Sequence, residues 1–537
     1  MLAASRLGPL GVAPDPVPSR HLRDRAEPRA EATHPVSFPA VTRPPAAVPV
    51  KRVAEALAGG EIRGGATVVD VTHDSRQVGQ GWLFCCVPGA DADGHDFAPA
   101  AVGQGASALL VERWLDDLAV AQVRVASVRA AMGPAAAVVH GHPSRDLRIV
   151  GVTGTNGKTT TTYLLETAFG AAGWGTGLVG TVQMRIHGAA QPGVRTTPEG
   201  PDLQRLLRTM HSRGVDAVAI EVSSHGLDLH RADGTWFACT VFTNLTQDHL
   251  DHHGTMDAYF TAKARLFTPA FSDRAVVCVD GEWGQRLASQ ASIDVTTYGR
   301  DATAQHRIVD VAADTAGTRF TLSGPDGDVT LRTRLLGDFN AGNAAAAYLA
   351  ATAVGVPADA AIAGIAACDG VPGRLEPVDA GQPFAVLVDY AHTPDALDHV
   401  VRAARGIADG RTIVVVGCGG DRDTGKRPLM GAVAAQADVA VLTSDNPRSE
   451  DPQAILAAVA EGARRAVDGG APAAIRIEVD RRAAIALALQ EARPGDVVVV
   501  AGKGHETGQE LAEATVPFDD RLVALELLGG HPPGDQP

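Results

Sequence analysis

The sequence has 537 residues, of which 45% are hydrophobic and 20% charged, and its formal net charge at pH 7 is −15. This is an ordinary globular composition, and the length predicts about three to four domains. The acidic balance argues against a general nucleic-acid-binding protein, because such proteins carry a basic face, so we expect no nucleic-acid partner.

Two other classes are disfavoured by the same reading. No apolar run approaches the roughly 18 residues of a membrane helix, so we expect a soluble protein without membrane insertion. The six cysteines show neither Cys-x-x-Cys spacing nor a partnered histidine cluster. We therefore expect them to be buried, reduced thiols.

The first 49 residues are rich in proline and arginine and lack apolar periodicity. Such a segment cannot bury enough apolar surface to offset the entropy lost on ordering, so residues 1–49 are predicted to be a disordered tail. A second disordered tail is expected at residues 531–537. The first segment has no continuous apolar h-region, so no signal peptide is predicted. A tail without function and a translation start placed too far upstream both fit this composition.

Residues 50–145 are predicted to form a compact α/β unit, with a helix at 53–58 and a strand at 81–87. Polar turns contain Asp74 and Ser75, and further along residues 91–95. Taken alone, Asp74 and Ser75 fit turn-forming residues better than ligand-binding groups.

The second unit, residues 146–372, begins with an apolar strand that enters the glycine-rich stretch 151–162. A strand followed by a glycine-rich turn that opens a helix lets backbone N–H groups surround phosphates, with Lys158 reaching the outer phosphates and Thr159 binding Mg²⁺. The spacing departs from the strict P-loop because Val152, not glycine, stands five residues before Gly157. The stretch is either a degenerate loop or the signature of a narrower ligase class.

Two further strands are predicted in this unit, at 215–221 and 238–243, with helices between them. Glu221 ends the first, and Asp248 and His249 follow the second. Because the carboxyl ends of parallel strands face the ligand crevice, we expect these side chains beside the phosphate loop, with Glu221 on Mg²⁺. The histidines at 249, 252 and 253 fit no usual zinc spacing, so no zinc site is predicted.

Two residues of the second unit have ordinary structural interpretations. The helical pattern of 259–267 places Lys263 on one face with Tyr259, and a lysine among apolar neighbours normally extends outward to solvent. Asn340 opens an alanine-rich helix, where asparagine is more often a cap than a base-binding group. Residues 370–374 are predicted to be a hinge turn.

Residues 373–530 are predicted to form a third α/β unit with strands at 384–388, 412–416, 439–443 and 497–500. Each strand is followed by a polar loop, at 389–394, 419–422, 445–448 and 502–506. Loops at one edge of a parallel sheet form a ligand crevice. Arg422 and Arg448 in these loops suit carboxylate recognition, because a planar guanidinium binds a carboxylate through two hydrogen bonds.

Taken together, five motifs resemble the ATP-dependent Mur ligases of peptidoglycan synthesis. They are residues 154–160, 221–225 (Glu-Val-Ser-Ser-His), 244–249 (Asn-Leu-Thr-Gln-Asp-His), 262–263 (Ala-Lys) and 389–394 (Asp-Tyr-Ala-His-Thr-Pro). The likeness extends from about residue 50 to about residue 528. Within the family it is strongest to the members that add meso-diaminopimelate to UDP-MurNAc-L-Ala-D-Glu.

This resemblance implies three domains: an N-terminal α/β uridine-binding domain, a central P-loop mononucleotide-binding domain with a parallel sheet, and a C-terminal Rossmann-like domain. It also implies a cytoplasmic, ADP-forming ligase, and we expect a monomer. A sibling amide ligase with another acceptor, such as L-lysine, and a nucleotide-binding regulatory scaffold are the alternatives. Arg448 and the long first domain disfavour the sibling, and the intact phosphate-loop residues disfavour the scaffold.

The resemblance also implies roles for particular residues. ATP contacts fall on Gly154, Thr155, Asn156, Gly157, Lys158, Thr159, Thr160, Asn340, Arg374 and Asp389. UDP-substrate contacts fall on Ser75, Ala90, Asp91, Ala92, Thr196, Thr197, Ser223 and Arg231. Diaminopimelate contacts fall on Arg422, Asp445, Asn446, Pro447, Arg448, Gly502 and Glu506. The catalytic residues are Lys158, Lys263, His249 and Glu221, and two Mg²⁺ ions are expected on Thr159, Glu221, His249 and Lys263.

Lys263 changes meaning most under this resemblance. The matching lysine of the family is carbamylated by CO₂, so that a cation becomes an anion beside Mg²⁺. The apolar helix face then makes chemical sense, because desolvation lowers the pKa of the lysine and frees the neutral amine that CO₂ needs.

Overall fold

The computed structural model describes residues 46–89, 92–192 and 195–530. Most of the predicted N-terminal tail, the tail at 531–537, and the predicted substrate contacts Ala90 and Asp91 lie outside the described residues. The strand Val48–Pro49 pairs with Thr67–Val68. The last two residues of the predicted tail 1–49 therefore belong to the first domain, because their backbone groups are paired in a sheet.

The first domain is a five-stranded sheet in the order β2-β7-β6-β5-β4 with a separate two-stranded pair, β1-β3. Its strands are β1 (Val48–Pro49), β2 (Glu61–Arg63), β3 (Thr67–Val68), β4 (Asp70–Thr72), β5 (Trp82–Cys85), β6 (Ala106–Val111) and β7 (Ala121–Arg124), and its α-helices are α1 (Val50–Ala56), α2 (Ala98–Gln104) and α3 (Val128–Val139). The helix predicted at 53–58 begins three residues earlier than expected, at Val50.

The second domain is an eleven-stranded sheet in the order β11-β10-β9-β12-β8-β13-β14-β15-β16-β17-β18. Its strands are β8 (Arg148–Thr153), β9 (Thr176–Val179), β10 (Gln183–Ile186), β11 (Ala189–Pro192), β12 (Ala217–Glu221), β13 (Cys239–Phe242), β14 (Arg274–Cys278), β15 (Asp294–Gly299), β16 (His306–Asp314), β17 (Gly317–Gly324) and β18 (Gly327–Thr333). The seven neighbouring strands β9-β12-β8-β13-β14-β15-β16 are parallel, as predicted. The strands at the two ends of the sheet, β10 and β11 on one side and β17 and β18 on the other, pair antiparallel.

The helices of this domain are α4 (Lys158–Ala171), α5 (Gly200–Ser212), α6 (Ser224–Asp228), α7 (Leu250–His253), α8 (Met256–Ala264), α9 (Glu282–Gln290), α10 (Asn340–Ala353) and α11 (Ala358–Ala367). The alanine-rich α10 and α11 pack with α4 in one buried cluster. A Cβ at Gly364 of α11 would lie 2.4 Å from the carbonyl oxygen of Thr167 on α4, so this glycine permits the close helix approach. The packing fixes the helix that follows the phosphate loop.

The third domain is a six-stranded sheet in the order β19-β20-β24-β21-β22-β23, with the hairpin β25-β26 beside it. Its strands are β19 (Glu376–Pro377), β20 (Ala385–Asp389), β21 (Thr412–Val416), β22 (Val439–Leu442), β23 (Ala474–Ile477), β24 (Val497–Ala501), β25 (Gly508–Glu510) and β26 (Thr515–Pro517), and its helices are α12 (Pro394–Ile407), α13 (Lys426–Ala434), α14 (Pro452–Asp468), α15 (Arg481–Glu491) and α16 (Asp520–Leu527). The four predicted strands are confirmed and run parallel, so their polar loops leave from one edge.

In residues 46–89, 92–192 and 195–530 no helix combines the length and apolar character required to cross a bilayer. The six cysteines, all in this part of the chain, are free; five are buried and Cys278 is half-buried.

The first and second domains are joined by a buried ionic network around Arg205 of α5. Its guanidinium donates to the carboxylate of Asp70 at 2.9 Å and to the carbonyl oxygen of Val71 at 2.6 Å. His140 contacts the same carboxylate at 3.1 Å, and the guanidinium lies over the Trp82 ring. Burial acts to raise the pKa of Asp70, but His140 and Arg205 lower it to about 2. The network thus fixes how the two domains meet.

Replacing Arg205 with methionine is expected to lower the free energy of unfolding by about 3 kcal/mol, because the substitution leaves a buried carboxylate without its main partner. Urea unfolding followed by tryptophan fluorescence measures the change, with exposed Arg213→Met as the matched control. Because the pKa of Asp70 is about 2 in the folded state against 3.8 for an unperturbed carboxyl, the wild type should lose this stabilisation as the pH falls from about 4 to 2. An equally steep acid dependence in Arg205→Met would contradict the assignment.

Candidate active site

The phosphate loop connects β8 to α4 and depends on two glycines in the left-handed region of backbone space. Gly154 has φ +148° and Gly157 has φ +87°. A Cβ at Gly154 would lie 1.9 Å from Oγ1 of Thr243, and one at Gly157 would lie 2.3 Å from Oδ1 of Asn343. Side chains are therefore excluded at both positions, and the backbone turns close to its neighbours, as a phosphate-binding loop requires.

Two lysines converge on one carbonyl oxygen of this loop. Nζ of Lys158 donates to the Gly154 carbonyl oxygen at 3.0 Å, and Nζ of Lys263 donates to the same oxygen at 2.8 Å. Lys263 is only 1% exposed. The side chain does not take the outward orientation that is usual for a lysine among apolar neighbours, because helix α8 points it at this buried acceptor.

The electrostatics of the two lysines differ. Burial, and next the positive charge of Lys158, lower the pKa of Lys263 well below its usual value; the carboxylate of Asp248 offsets only part of this. Desolvation also lowers the pKa of Lys158, whereas Glu221 and Asp248 act to raise it. Lys263 is therefore the group placed to be a neutral amine.

Glu221 lies at the end of β12 and is 1% exposed. Its side chain accepts hydrogen bonds from the backbone N–H of Thr181 at 3.0 Å and from the hydroxyl of Thr181 at 2.9 Å. A Cβ on neighbouring Gly180 would lie 2.3 Å from its Oε1. The carboxylate is thus fixed on the phosphate-loop edge of the sheet, where it was predicted.

Asp248 and His249 follow β13, and Asp248 is the centre of a cluster that sequence reasoning left without a role. Its carboxylate lies 3.3 Å from Nε2 of His249, 3.7 Å from Nε2 of His392 and 3.9 Å from Nζ of Lys426. Burial acts to raise the pKa of Asp248, but His249 and His392 first, and then Lys426, hold it well below 3.8. Desolvation lowers the pKa of His249 well below its usual value, whereas the carboxylate of Asp248 acts to raise it. An imidazole nitrogen at this position can bind a metal in its neutral form.

A cleft beside the loop is formed by the second and third domains together. Its lining includes Asn340, Arg374 and Asp389 from the predicted ATP set, with Phe339 and His399. Asn340 is the first residue of α10 and donates to the Leu336 carbonyl oxygen at 2.7 Å. The helix cap is Phe339 and carries no side-chain hydrogen bond, so the interpretation of Asn340 as a cap was wrong.

Arg374 connects the third domain to the phosphate loop. Its Nη2 donates to Oγ1 of Thr159 at 3.1 Å, and the guanidinium lies over the Tyr390 ring. Its Nε is buried and, within the described residues, has no hydrogen-bond partner. Asp389 accepts from the backbone N–H groups of Leu375 and Ala391, both at 2.7 Å. A second contact between the domains runs from the Asn156 amide to the Asp395 carboxylate at 2.7 Å.

These observations fit a nucleotide and Mg²⁺. The glycine backbone at the loop leaves no side chain in the way of phosphates. Arg374 presents a buried N–H that has no partner in the described part of the chain, and Glu221 and Thr159 are oxygen donors of the type that Mg²⁺ prefers. His249 adds an imidazole nitrogen. Lys263 as an amine is a poor magnesium ligand, and only as a carbamate would it fit this donor set.

The third domain positions its predicted residues around Lys503, a fully buried residue that sequence reasoning left without a role. Nζ of Lys503 donates to Oδ1 of Asn446 at 2.9 Å and to Oε2 of Glu506 at 3.0 Å. The Asn446 amide also donates to Glu506 at 3.0 Å. Asp445 lies 3.8 Å from the same ammonium. Lys503 thus connects the loop after β22 to the loop after β24.

Arg448 is held in a defined position at the edge of this crevice. It has φ +52°, and its Nε donates to Oε2 of Glu510 at 2.5 Å while Nη1 donates to the Gly420 carbonyl oxygen at 2.8 Å. A Cβ on Gly419 would lie 3.0 Å from Nη1 of Arg448 and 3.9 Å from Cγ of Arg422. The two predicted arginines therefore flank Gly419 at one edge. The partner Glu510, on the hairpin strand β25, was missed because no sequence pattern links it to Arg448.

The predicted UDP-substrate residues fall into two groups. Ser75 follows β4, with Asp74 capping a short 3₁₀-helix as predicted for a turn, and Ala92 lies in the loop after β5, the parallel neighbour of β4. Thr197 donates its hydroxyl to the Glu221 carbonyl oxygen at 3.0 Å and lies 3.3 Å from the Ser223 hydroxyl.

The second group of predicted UDP-substrate residues, which contains Thr197 and Ser223, also includes Thr196 and Arg231. The Thr196 hydroxyl lies 3.0 Å from that of Thr181. Arg231 donates to Glu199 at 3.0 Å, and this carboxylate also pairs with Arg129 and Arg195. Three guanidinium groups around one carboxylate leave a net positive patch, which sequence reasoning did not find because the arginines lie far apart in the chain.

Comparison with known proteins agrees with this arrangement. The family model described as Mur ligase middle domain matches residues 152–351, Mur ligase, glutamate ligase domain matches 373–504, and Mur ligase family, catalytic domain matches 67–142. A UDP-N-acetylmuramoyl-L-alanyl-D-glutamate--2,6-diaminopimelate ligase of Streptomyces coelicolor is 47% identical over 503 residues, covering 92% of this chain and 99% of that protein.

Solved structures give the same fold. A structure of a UDP-N-acetylmuramoyl-L-alanyl-D-glutamate--2,6-diaminopimelate ligase superposes with a TM-score of 0.63 and 33% identity, covering 86% of this chain and 95% of that one. A MurF ligase from Thermotoga maritima in complex with ADP has a TM-score of 0.58 at 19% identity, covering 86% and 96%. From these matches and the three-domain arrangement, the chain belongs to the Mur ligase family.

Proposed function

We propose that this chain is an ATP-dependent ligase that joins meso-diaminopimelate to the D-Glu γ-carboxylate of UDP-MurNAc-L-Ala-D-Glu, in cytoplasmic peptidoglycan precursor synthesis. The observation that carries the proposal is the third-domain crevice, where Arg448 and Arg422 flank Gly419 beside the Asn446–Glu506 pair. Two cationic groups beside a carboxylate and an amide suit a substrate with both ammonium and carboxylate ends. The relative from Streptomyces coelicolor, which is 47% identical, is named as a 2,6-diaminopimelate ligase, and this name supports the same acceptor.

The reaction begins at the phosphate loop. The substrate γ-carboxylate attacks the γ-phosphate of ATP, which forms an acyl phosphate and releases ADP. Lys158, the loop N–H groups and Arg374 stabilise the negative charge that accumulates on the transferring group. Thr159, Glu221, His249 and carbamylated Lys263 are the residues that would hold two Mg²⁺ ions, and these would neutralise phosphate charge.

The second step is amide formation. The neutral amine of diaminopimelate attacks the acyl carbon, the tetrahedral intermediate expels inorganic phosphate, and one proton leaves the nitrogen. Arg448 binds the distal carboxylate, while Asn446 and Glu506, held together by Lys503, orient the amino-acid end. No side chain of this protein forms a covalent intermediate in this scheme.

ADP release with UDP-MurNAc-L-Ala-D-Glu and a panel of amino acids tests the proposal. We expect release to require both the UDP-sugar dipeptide and meso-diaminopimelate, with kcat/KM for L-lysine lower by at least about 10²-fold, because lysine leaves Arg448 without its carboxylate. Preferred use of lysine would favour the sibling ligase. Nucleotide binding with no substrate-dependent ADP formation would favour a regulatory scaffold.

A further inference from the structure

A second group of potential metal ligands lies on the short helices α6 and α7, of which α7 directly follows His249 in the chain. Asp228 ends α6, and His252 and His253 end α7. One ligand atom from each of the three residues lies within 4.8 Å of the others. Nε2 of His252 is 2.8 Å from Oδ2 of Asp228. None of the three belongs to the residues assigned above to ATP, Mg²⁺ or either substrate.

One histidine of this group has a buried nitrogen without a partner in the part of the chain that the structure describes. Nε2 of His253 is buried and, among the described residues, has no hydrogen-bond partner, which is costly for a polar atom. The His225 ring packs against the His252 ring, with centroids 4.2 Å apart. Nε2 of His253 is therefore an available nitrogen that a metal ion could bind.

We propose that Asp228, His252 and His253 bind a divalent transition-metal ion of the zinc class. The spacing of the histidines in the sequence predicted no zinc site, but the fold adds Asp228 from another helix as the third ligand. Two imidazoles and one carboxylate favour Zn²⁺, Co²⁺, Ni²⁺ or Fe²⁺ over Mg²⁺, which prefers oxygen ligands. With metal–ligand bonds of about 2.0–2.1 Å, tetrahedral ligand atoms lie about 3.3 Å apart. The ligand atoms now lie within 4.8 Å of one another. Asp228 and His252 are exposed, so their side chains can rotate to reach the required spacing.

The ion would act on the phosphate loop through packing. The His253 ring stacks on Tyr259, with centroids 5.0 Å apart and an interplanar angle of 28°. The Tyr259 hydroxyl lies 3.2 Å from Oγ1 of Thr155 in the loop, and Nζ of Lys263 lies 4.6 Å from the centre of the same ring. An ion that fixes His253 thereby supports the residues that orient the loop, without contacting substrate.

Cobalt binding to the full-length, chelator-treated protein tests this site. The titration is done in millimolar Mg²⁺ and ADP, so that the phosphate-loop site is saturated, and is followed by the visible absorption of protein-bound Co²⁺. We expect one competing Zn²⁺ equivalent to displace the cobalt. His252→Ala and Asp228→Asn should each weaken cobalt binding by at least about 10-fold. Asp251→Asn is the matched control, since Asp251 lies on the same short helix and is exposed, and it should leave the affinity unchanged.

Thermal unfolding gives a second readout that is independent of ligase activity. Zn²⁺ should raise the unfolding temperature of the wild type and of Asp251→Asn, and should leave that of His252→Ala unchanged, because only a folded site binds the ion. Cobalt affinity that is equal in the wild type and in both site variants would overturn the proposal. Complete loss of cobalt binding in excess Mg²⁺ would overturn it too, because the cobalt would then have occupied only the magnesium site.

Discussion

Lys263→Ala is expected to lower kcat by about 10²- to 10³-fold, the range seen when one group that stabilises transition-state charge is removed. Lys263 is fully enclosed, and its Nζ shares the Gly154 carbonyl oxygen with Lys158. Two ammonium groups on one acceptor repel each other, so the enclosed lysine is favoured as a neutral amine. Attack of that amine on CO₂ forms a C–N bond, releases one proton and leaves a carbamate anion, which would attract Lys158 instead of repelling it.

Two measurements separate a carbamate from a simple packing role. Short carboxylic acids should partly restore the activity of Lys263→Ala, since they return an anion to the space that the side chain leaves. Protein equilibrated with ¹³C-labelled CO₂ should show a carbamate carbon signal by NMR that is absent from Lys263→Ala. Lys51→Ala, at a lysine whose side chain is 77% exposed, is the control and should match the wild type in both. Full activity of Lys263→Ala without additives would rule the carbamate out.

The sequence predicted those features that follow from strand order. Once the strands of the third domain were recognised as parallel, their carboxyl ends had to share an edge, so Asp389, Asn446 and Gly502 were expected together. The same argument placed Glu221 and His249 beside the phosphate loop. These predictions needed only apolar runs and the polar residues that follow them.

Features that depend on side-chain direction were not predictable in this way. Lys263 and Gly154 are 109 residues apart. The residue pattern alone indicated an exposed lysine, the resemblance implied a desolvated one, and the packing of α8 against the loop gives the physical reason that it points inward. Lys503 was passed over because a lysine in a glycine-rich loop is ordinarily exposed, whereas here Asn446 and Glu506 provide buried acceptors. Asp248 has neighbours from two domains, and periodicity within one segment carries no information about such contacts.

The choice of acceptor gives the other large expected effect. Arg448→Ala should lower kcat/KM for meso-diaminopimelate by about 10²-fold, or about 3 kcal/mol, because a charge-assisted contact to the distal carboxylate is lost. The Kd for ATP should change less than about 2-fold, because Arg448 lies in the third-domain crevice and does not line the cleft beside the phosphate loop. Steady-state phosphate release and a separate nucleotide titration measure the two quantities, with the exposed Arg464→Ala of α14 as the matched control.

Glu510→Gln sharpens this prediction, because it keeps the arginine and removes the charge that orients it. Nε of Arg448 donates to Glu510 and Nη1 donates to the Gly420 carbonyl oxygen. These two bonds fix the orientation of the guanidinium and therefore of its remaining N–H groups, which would bind the substrate carboxylate. The Glu510 variant should raise KM for meso-diaminopimelate several-fold without reaching the loss in Arg448→Ala. If Arg448 serves only to join the hairpin to the loop after β22, both variants should instead lower thermal stability and impair ATP binding and diaminopimelate use equally. Unequal loss, confined to the amino acid, is the result that assigns acceptor recognition to Arg448.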